Sequence, residues 1–188
     1  MKIRLAADLQ SDSIVDGEGI RTVIWTQGCP HNCFGCHNAC THDFNGGGLI
    51  DIEYIKEEIS NLKAQDGLTF SGGDPMCQPE ACNEIAKFAK ELDMNIWCYT
   101  GYTYEQLIVM SKSNKHIMEF LKNIDVLIDG KFVLELKSND AIFRGSTNQR
   151  IIDVQKSLEE QRVCLIEKYI IREKEEQIKF CHEKYLFV

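Results

Sequence analysis

Short apolar runs alternate with amphipathic stretches along this chain. Residues 22–25 (TVIW) are β-branched and aromatic, the composition of a buried strand. From Asp51, which can cap a first turn, Ile52, Ile55, Ile59 and Leu62 recur at helical spacing and predict an amphipathic helix. Residues 68–70 form a second apolar run that stops at Ser-Gly-Gly-Asp-Pro. Pro79 then suits a first helical position, and Ile85, Phe88, Ala89 and Leu92 mark an inward stripe. A third strand is expected over 95–100 (NIWCYT), helices around 104–110 and 117–121, and a fourth strand over 125–128 (DVLI).

Strands alternating with helices indicate parallel βαβ units, because parallel neighbours need a crossover connection. At roughly 30 residues per unit the chain holds about six units, fewer than the eight of a closed barrel, which takes about 250 residues. An incomplete barrel or an open parallel sheet is therefore expected. From Leu158 the chain becomes charge-dense (SLEEQRVCLIEKYIIREKEEQIKF), which predicts a helical extension over 158–188 beyond a core domain of 1–157.

Composition narrows the function classes. The 188 residues carry 21 Lys plus Arg against 29 Asp plus Glu, a net charge of -8, and 44% are apolar. Such a chain can bury a real core, and its acidic balance, without a Lys/Arg run longer than two, argues against a nucleic-acid partner. The stretch 22–42 has no Asp, Glu, Lys or Arg beyond Thr22 but is interrupted by Gln, Asn, His and Pro, so no membrane span is expected. The first residues lack the apolar segment of a secretory signal, and the simplest address is the cytoplasm. Neither a G-x-x-x-x-G-K phosphate loop nor a G-x-S-x-G elbow occurs.

The nine cysteines carry the chemistry. Four fall within twelve residues, Cys29, Cys33, Cys36 and Cys40, and the first three have C-x3-C-x2-C spacing on a loop that follows a strand. Structural zinc usually takes four ligands in two separated pairs, and no second pair is present. The ferredoxin loop is spaced C-x2-C-x2-C, which differs. Three thiolates on a cubane cluster would leave one iron open to a substrate; recruitment of Cys40 would instead close the site, as in an electron carrier or a zinc-stabilised interaction module.

The C-x3-C-x2-C motif resembles that of radical S-adenosylmethionine (radical SAM) enzymes, and SGGDP at 71–75 resembles their glycine-rich amino-acid-binding turn. GEGIRT before the first strand, QGCPHNCFGCHN around the cysteines, WCYTGYT from Trp97, DVLIDGKF from Asp125 and RGSTNQRIIDV from Arg144 narrow the likeness. Together they resemble the anaerobic ribonucleoside-triphosphate reductase activating proteins, with Gly-Glu-Gly where Gly-Pro-Gly is usual.

That resemblance implies an α/β fold of the radical SAM type: a partial (βα) barrel of about five to six parallel strands, open on one side. It implies a 4Fe-4S cluster on Cys29, Cys33 and Cys36 that reductively cleaves S-adenosylmethionine, and a 5'-deoxyadenosyl radical that abstracts hydrogen from a glycine of the reductase catalytic subunit. A low-potential donor such as flavodoxin or ferredoxin would supply electrons. A formate-lyase-type glycyl-radical enzyme is the alternative partner. Gly35 and His37 would line the cofactor pocket. Gly72 and Gly73 would let the cofactor approach the backbone, and Asp74 could accept a bond from its ammonium group. Asp129 and Lys131 would face the same site from a strand end.

Overall fold

The computed structural model describes residues 1–170. The chain opens with β1 (Lys2–Leu5), β2 (Gln10–Ser13) and β3 (Arg21–Thr26), and β4 (Gly48–Asp51) runs directly into α1 (Ile52–Ser60). Next come β5 (Gly67–Gly72), α2 (Pro79–Glu91), β6 (Asn95–Tyr99), α3 (Tyr104–Met110) and α4 (Lys115–Leu121). β7 (Val126–Asp129), β8 (Arg150–Asp153) and α5 (Val154–Glu160) follow. Asp51 caps α1 as expected, its side chain accepting from Glu53 N, and Pro79 opens α2.

The eight strands of the described residues join one mixed sheet in the order β4-β1-β3-β5-β6-β7-β8, with β2 pairing onto β3 off that path. The expected partial barrel of five to six parallel strands is therefore corrected. Only β3–β5, β5–β6 and β6–β7 pair in parallel, whereas β1–β3, β1–β4, β2–β3 and β7–β8 are antiparallel. The class remains α/β. Dividing length by a βαβ unit assumed that every stretch carries a crossover helix, but no α-helix precedes Ile52, and the stretch from Gly130 to Gln149 returns the chain antiparallel without one. The added strands have four residues each, too few to announce themselves by alternation, and β2 reads QSDS with no apolar residue at all.

The pleat sends alternate residues to opposite faces. Ile96 and Cys98 enter the large core shared with the helices, where Phe70 meets Phe120 edge to face at 5.1 Å. Trp97 and, beside it, Tyr99 join a smaller cluster with Ile128 and Ile151 on the other face, and among the described residues no α-helix contributes to that cluster. There Phe143 and Tyr169 pack on Trp97, at 5.4 and 6.1 Å between ring centroids. Leu92, expected on the inward stripe of α2, lies just past the helix end and is 44% exposed.

Of the charged segment 158–188, the described part comprises the end of α5, a bridge from Leu165 to Ile152 and a 3-10 turn, Glu167–Tyr169. The rest of the helical extension expected over 158–188, residues 171–188, lies outside the described residues. Among the described residues no helix is long and apolar enough to cross a membrane.

Candidate metal centre and ligand cavity

The chain leaves β3 at Thr26 and loops out before returning at His42. Gly28 N donates to Thr41 O at 2.8 Å and Cys29 N to His42 O at 3.1 Å, which closes the base of the loop. Asn32 and Gly35, at φ 47° and 72°, curl the chain between. Cys29, Cys33 and Cys36 are partly exposed, and all three line one cavity of about 370 Å³. That volume is within the usual range for small-molecule sites. Cys40 is exposed in the 3-10 turn Ala39–Thr41 and does not line it.

Burial pushes the Cys29 thiol up, opposed by backbone hydrogen bonds from His31 and Asn32. Cys36 Sγ accepts from Asn38 N at 3.4 Å. Among the described residues no three His, Cys, Asp or Glu side chains converge to hold a single metal ion. A mononuclear zinc centre needs that convergence. A cubane takes its thiolates on separate irons, and three thiols lining one cavity suit that demand.

The turn after β5 docks against this loop. Gly73 N donates to Thr26 O at 2.7 Å and Asp74 N to Gly28 O at 2.9 Å. Gly72 adopts φ +96°, and a Cβ on Gly73 would come within 2.4 Å of Gly28 O, so the close approach of the two backbones requires glycine there. Cysteines after β3, Gly72 and Gly73 at β5, Tyr99 and Thr100 at β6 and Gly130 after β7 bring the carboxyl ends of the four parallel-paired strands to one cavity.

The residues expected in the site divide into two groups. Cys29, Cys33, Cys36, His37, Gly72 and Gly73 line the cavity, and the His37 ring lies 5.1 Å from that of Phe132. Gly35, Asp74, Asp129 and Lys131 do not line it. Gly35 lies against Leu134. Asp74 is fully buried and accepts hydrogen bonds from protein groups through both oxygens. Asp129 follows Ile128, whose side chain takes the cavity face of the sheet, so the pleat turns Asp129 to the other face. There its carboxylate accepts from Tyr104 N at 2.7 Å and Arg150 Nε at 2.9 Å. Lys131 is exposed.

Several lining residues carried no signal of their own in the sequence. Phe132 and Phe143 read as ordinary apolar positions, and Arg144 and Gln149 sat in a motif without an assigned role. Arg144 donates to Gln149 O at 3.2 Å and Tyr169 O at 2.9 Å and meets no carboxylate among the described residues. Gln149 Nε2 donates to Gly130 O at 2.9 Å, and its Oε1 accepts from Gly145 N at 2.8 Å, which fixes this side of the cavity.

A family model described as a 4Fe-4S single cluster domain matches residues 15–152, the segment that contains the cysteine loop and the cavity walls from the sheet. The chain is also similar to proteins named anaerobic ribonucleoside-triphosphate reductase-activating protein. The one from Haemophilus influenzae is 36% identical over 147 residues, 73% of this chain and 90% of the relative. That of Enterobacteria phage T4 is 36% identical over 144 residues, 73% of this chain and 86% of the relative. That of Escherichia coli K12 is 34% identical over 145 residues, 72% and 90% of the two chains. With a cluster-domain match over most of its length and these relatives aligned across nearly all of theirs, the chain belongs to the anaerobic ribonucleoside-triphosphate reductase-activating protein family.

Proposed function

We propose that this chain holds a 4Fe-4S cluster on Cys29, Cys33 and Cys36, binds S-adenosylmethionine beside it, and activates anaerobic ribonucleoside-triphosphate reductase by generating a glycyl radical. The observation that carries the reading is the sharing of one cavity by these three thiols and the Gly72–Gly73 turn, from which Cys40 is absent. When bound, the cluster would supply the electron that cleaves the sulfonium, and the resulting 5'-deoxyadenosyl radical would take a hydrogen atom from the partner's glycine. A low-potential flavodoxin or ferredoxin is the proposed electron source.

The chain's own residues have separate tasks in this reading. The Cys29, Cys33 and Cys36 thiols give up their protons to ligate iron. Gly72 and Gly73, held against the β3 end by close backbone packing, line the cavity and would offer backbone atoms to the methionine portion. Tyr99, Phe132 and Phe143 offer ring surfaces for the adenosyl portion, and Arg144 brings a cation to the same wall. Val15 lines the cavity yet is 70% exposed, and Phe34, within the cysteine loop, is 81% exposed. Apolar side chains left in water at such a place suit contact with a protein substrate.

The test is anaerobic reconstitution of the full chain with iron and sulfide, followed by dithionite and S-adenosylmethionine. Methionine and 5'-deoxyadenosine are the expected products, and a glycyl-radical electron paramagnetic resonance signal should develop on the added reductase. A reconstituted cluster that yields neither product overturns the reading. A signal on formate lyase and none on the reductase would reassign the partner.

A further inference from the structure

The geometry points to Asp74 as a positioning residue that pins the cluster-binding loop through His31, rather than as a ligand of the cofactor. Asp74 Oδ1 accepts from Met76 N at 3.0 Å, in its own turn. Thr100 Oγ1 lies 3.0 Å from both oxygens, and Oδ2 also accepts from Gly101 N at 3.0 Å, both at the end of β6. The remaining partner is His31 Nε2, 2.7 Å from Oδ2. A carboxylate only accepts, so Nε2 carries the hydrogen of this bond. One buried side chain thus joins the β5 turn, the β6 end and the cysteine loop.

The seat for the imidazole is built to its shape. The His31 side chain is only 6% exposed. A Cβ on Gly101 would lie 2.3 Å from the ring's Cδ2, so the space exists because that residue is glycine. Tyr102 closes the seat with an edge contact at 4.4 Å between centroids. His31 stands two residues after Cys29 and two before Cys33. Among the described residues, the His31–Asp74 bond is the sole hydrogen bond from residues 30–35 to any segment outside the loop. The base of the loop is held by backbone, and its middle is held by this pair. Where a metal ligand's supporting contacts are removed, affinity falls by about 10- to 100-fold.

The functional consequence rests on the proposed cluster, whereas the pin itself belongs to the metal-free chain and is measured there. Three full-length variants decide it: His31→Leu, which keeps bulk without the N–H; His31→Gln, whose amide nitrogen can reach the position of Nε2; and Asp74→Asn. In metal-free protein, hydrogen exchange over 29–36 is expected to rise in His31→Leu and to stay close to the parent in His31→Gln. After reconstitution, His31→Leu should lose iron to a chelator about tenfold faster than the parent, with His31→Gln restoring retention. Asp74→Asn should match His31→Leu in loop exchange, and combining the two should add nothing further within the loop. Parental exchange and iron retention in His31→Leu overturn the inference, as does a His31→Gln variant as impaired as His31→Leu. Should Asp74→Asn fail to fold, the two His31 variants still decide the outcome. A parent that shows the pin but produces no 5'-deoxyadenosine leaves the pin standing and removes the proposed reaction.

Discussion

Cys29, Cys33 and Cys36 differ from Cys40 in where the backbone carries them, not in their chemistry. Three line the cavity, and the fourth, four residues after Cys36 in a 3-10 turn, is exposed. Replacing any of the three with Ala is expected to abolish iron retention, whereas Cys40→Ala should keep the full complement. Iron and sulfide analysis of anaerobic protein checks this, and cluster loss in Cys40→Ala would revive the closed four-thiolate site. Of the other described cysteines, Cys82 and Cys98 pack in the large core. Burial pushes the Cys77 thiol up to about 12 and Cys98 well above its ordinary value, leaving both protonated and poor ligands at neutral pH. At this scale the sequence was legible for the shared cavity lining of the three cysteines, because C-x3-C-x2-C spacing keeps them on one short loop. It was not legible for Asp129, because which side of the sheet a strand residue takes depends on the register with its neighbours.

Between elements, Arg150 of β8 joins Asp129 of β7 to Glu105 of α3. Hydrogen bonding to the Arg150 guanidinium lowers the Glu105 carboxyl to about 2 from an ordinary 4.5, with burial acting the other way. A folded pKa below the unfolded one stabilises the protein above the unfolded value, and that contribution is lost as pH falls from 4.5 towards 2. Glu105 is 58% exposed, so solvent screening limits the contribution to below about 1 kcal/mol. Urea midpoints measured against pH should therefore place Glu105→Gln slightly below the parent at neutral pH, with the two converging near pH 2. A constant gap across that range would show that the ion pair is not the source. Helices α1 to α4 were readable because apolar spacing and capping residues lie within each element. The four antiparallel strand pairings were not, since they rest on long-range partners and on short strands such as β2 with little apolar content.

Across the whole molecule, Arg21 shows how a residue of the GEGIRT segment, which carries part of the family likeness, serves the frame. Its guanidinium is buried, donates to Thr69 Oγ1, Leu68 O, Asn95 O and Glu18 O, and lies 5.3 Å from the Trp97 ring. Desolvation lowers its pKa to about 10, which still leaves it charged at neutral pH. Arg21→Met leaves buried carbonyls unpaired on β5 and β6 and is expected to cost about 3 kcal/mol in urea unfolding; a loss below about 0.5 kcal/mol, the level of an ordinary surface change, would contradict that role. Trp97 in turn packs against Phe143 and Tyr169, so Arg21 supports the wall on which Arg144 sits. By itself the sequence determined the alternation of strand, turn and helix and the spacing of the three cysteines, because each depends on neighbours along the chain. Only the tertiary structure decided the mixed direction of the sheet, the face taken by Asp129 and the meeting of His31 with Asp74 across 43 residues. Those outcomes are set by long-range pairing and by competition for buried hydrogen-bond partners, which no local pattern encodes.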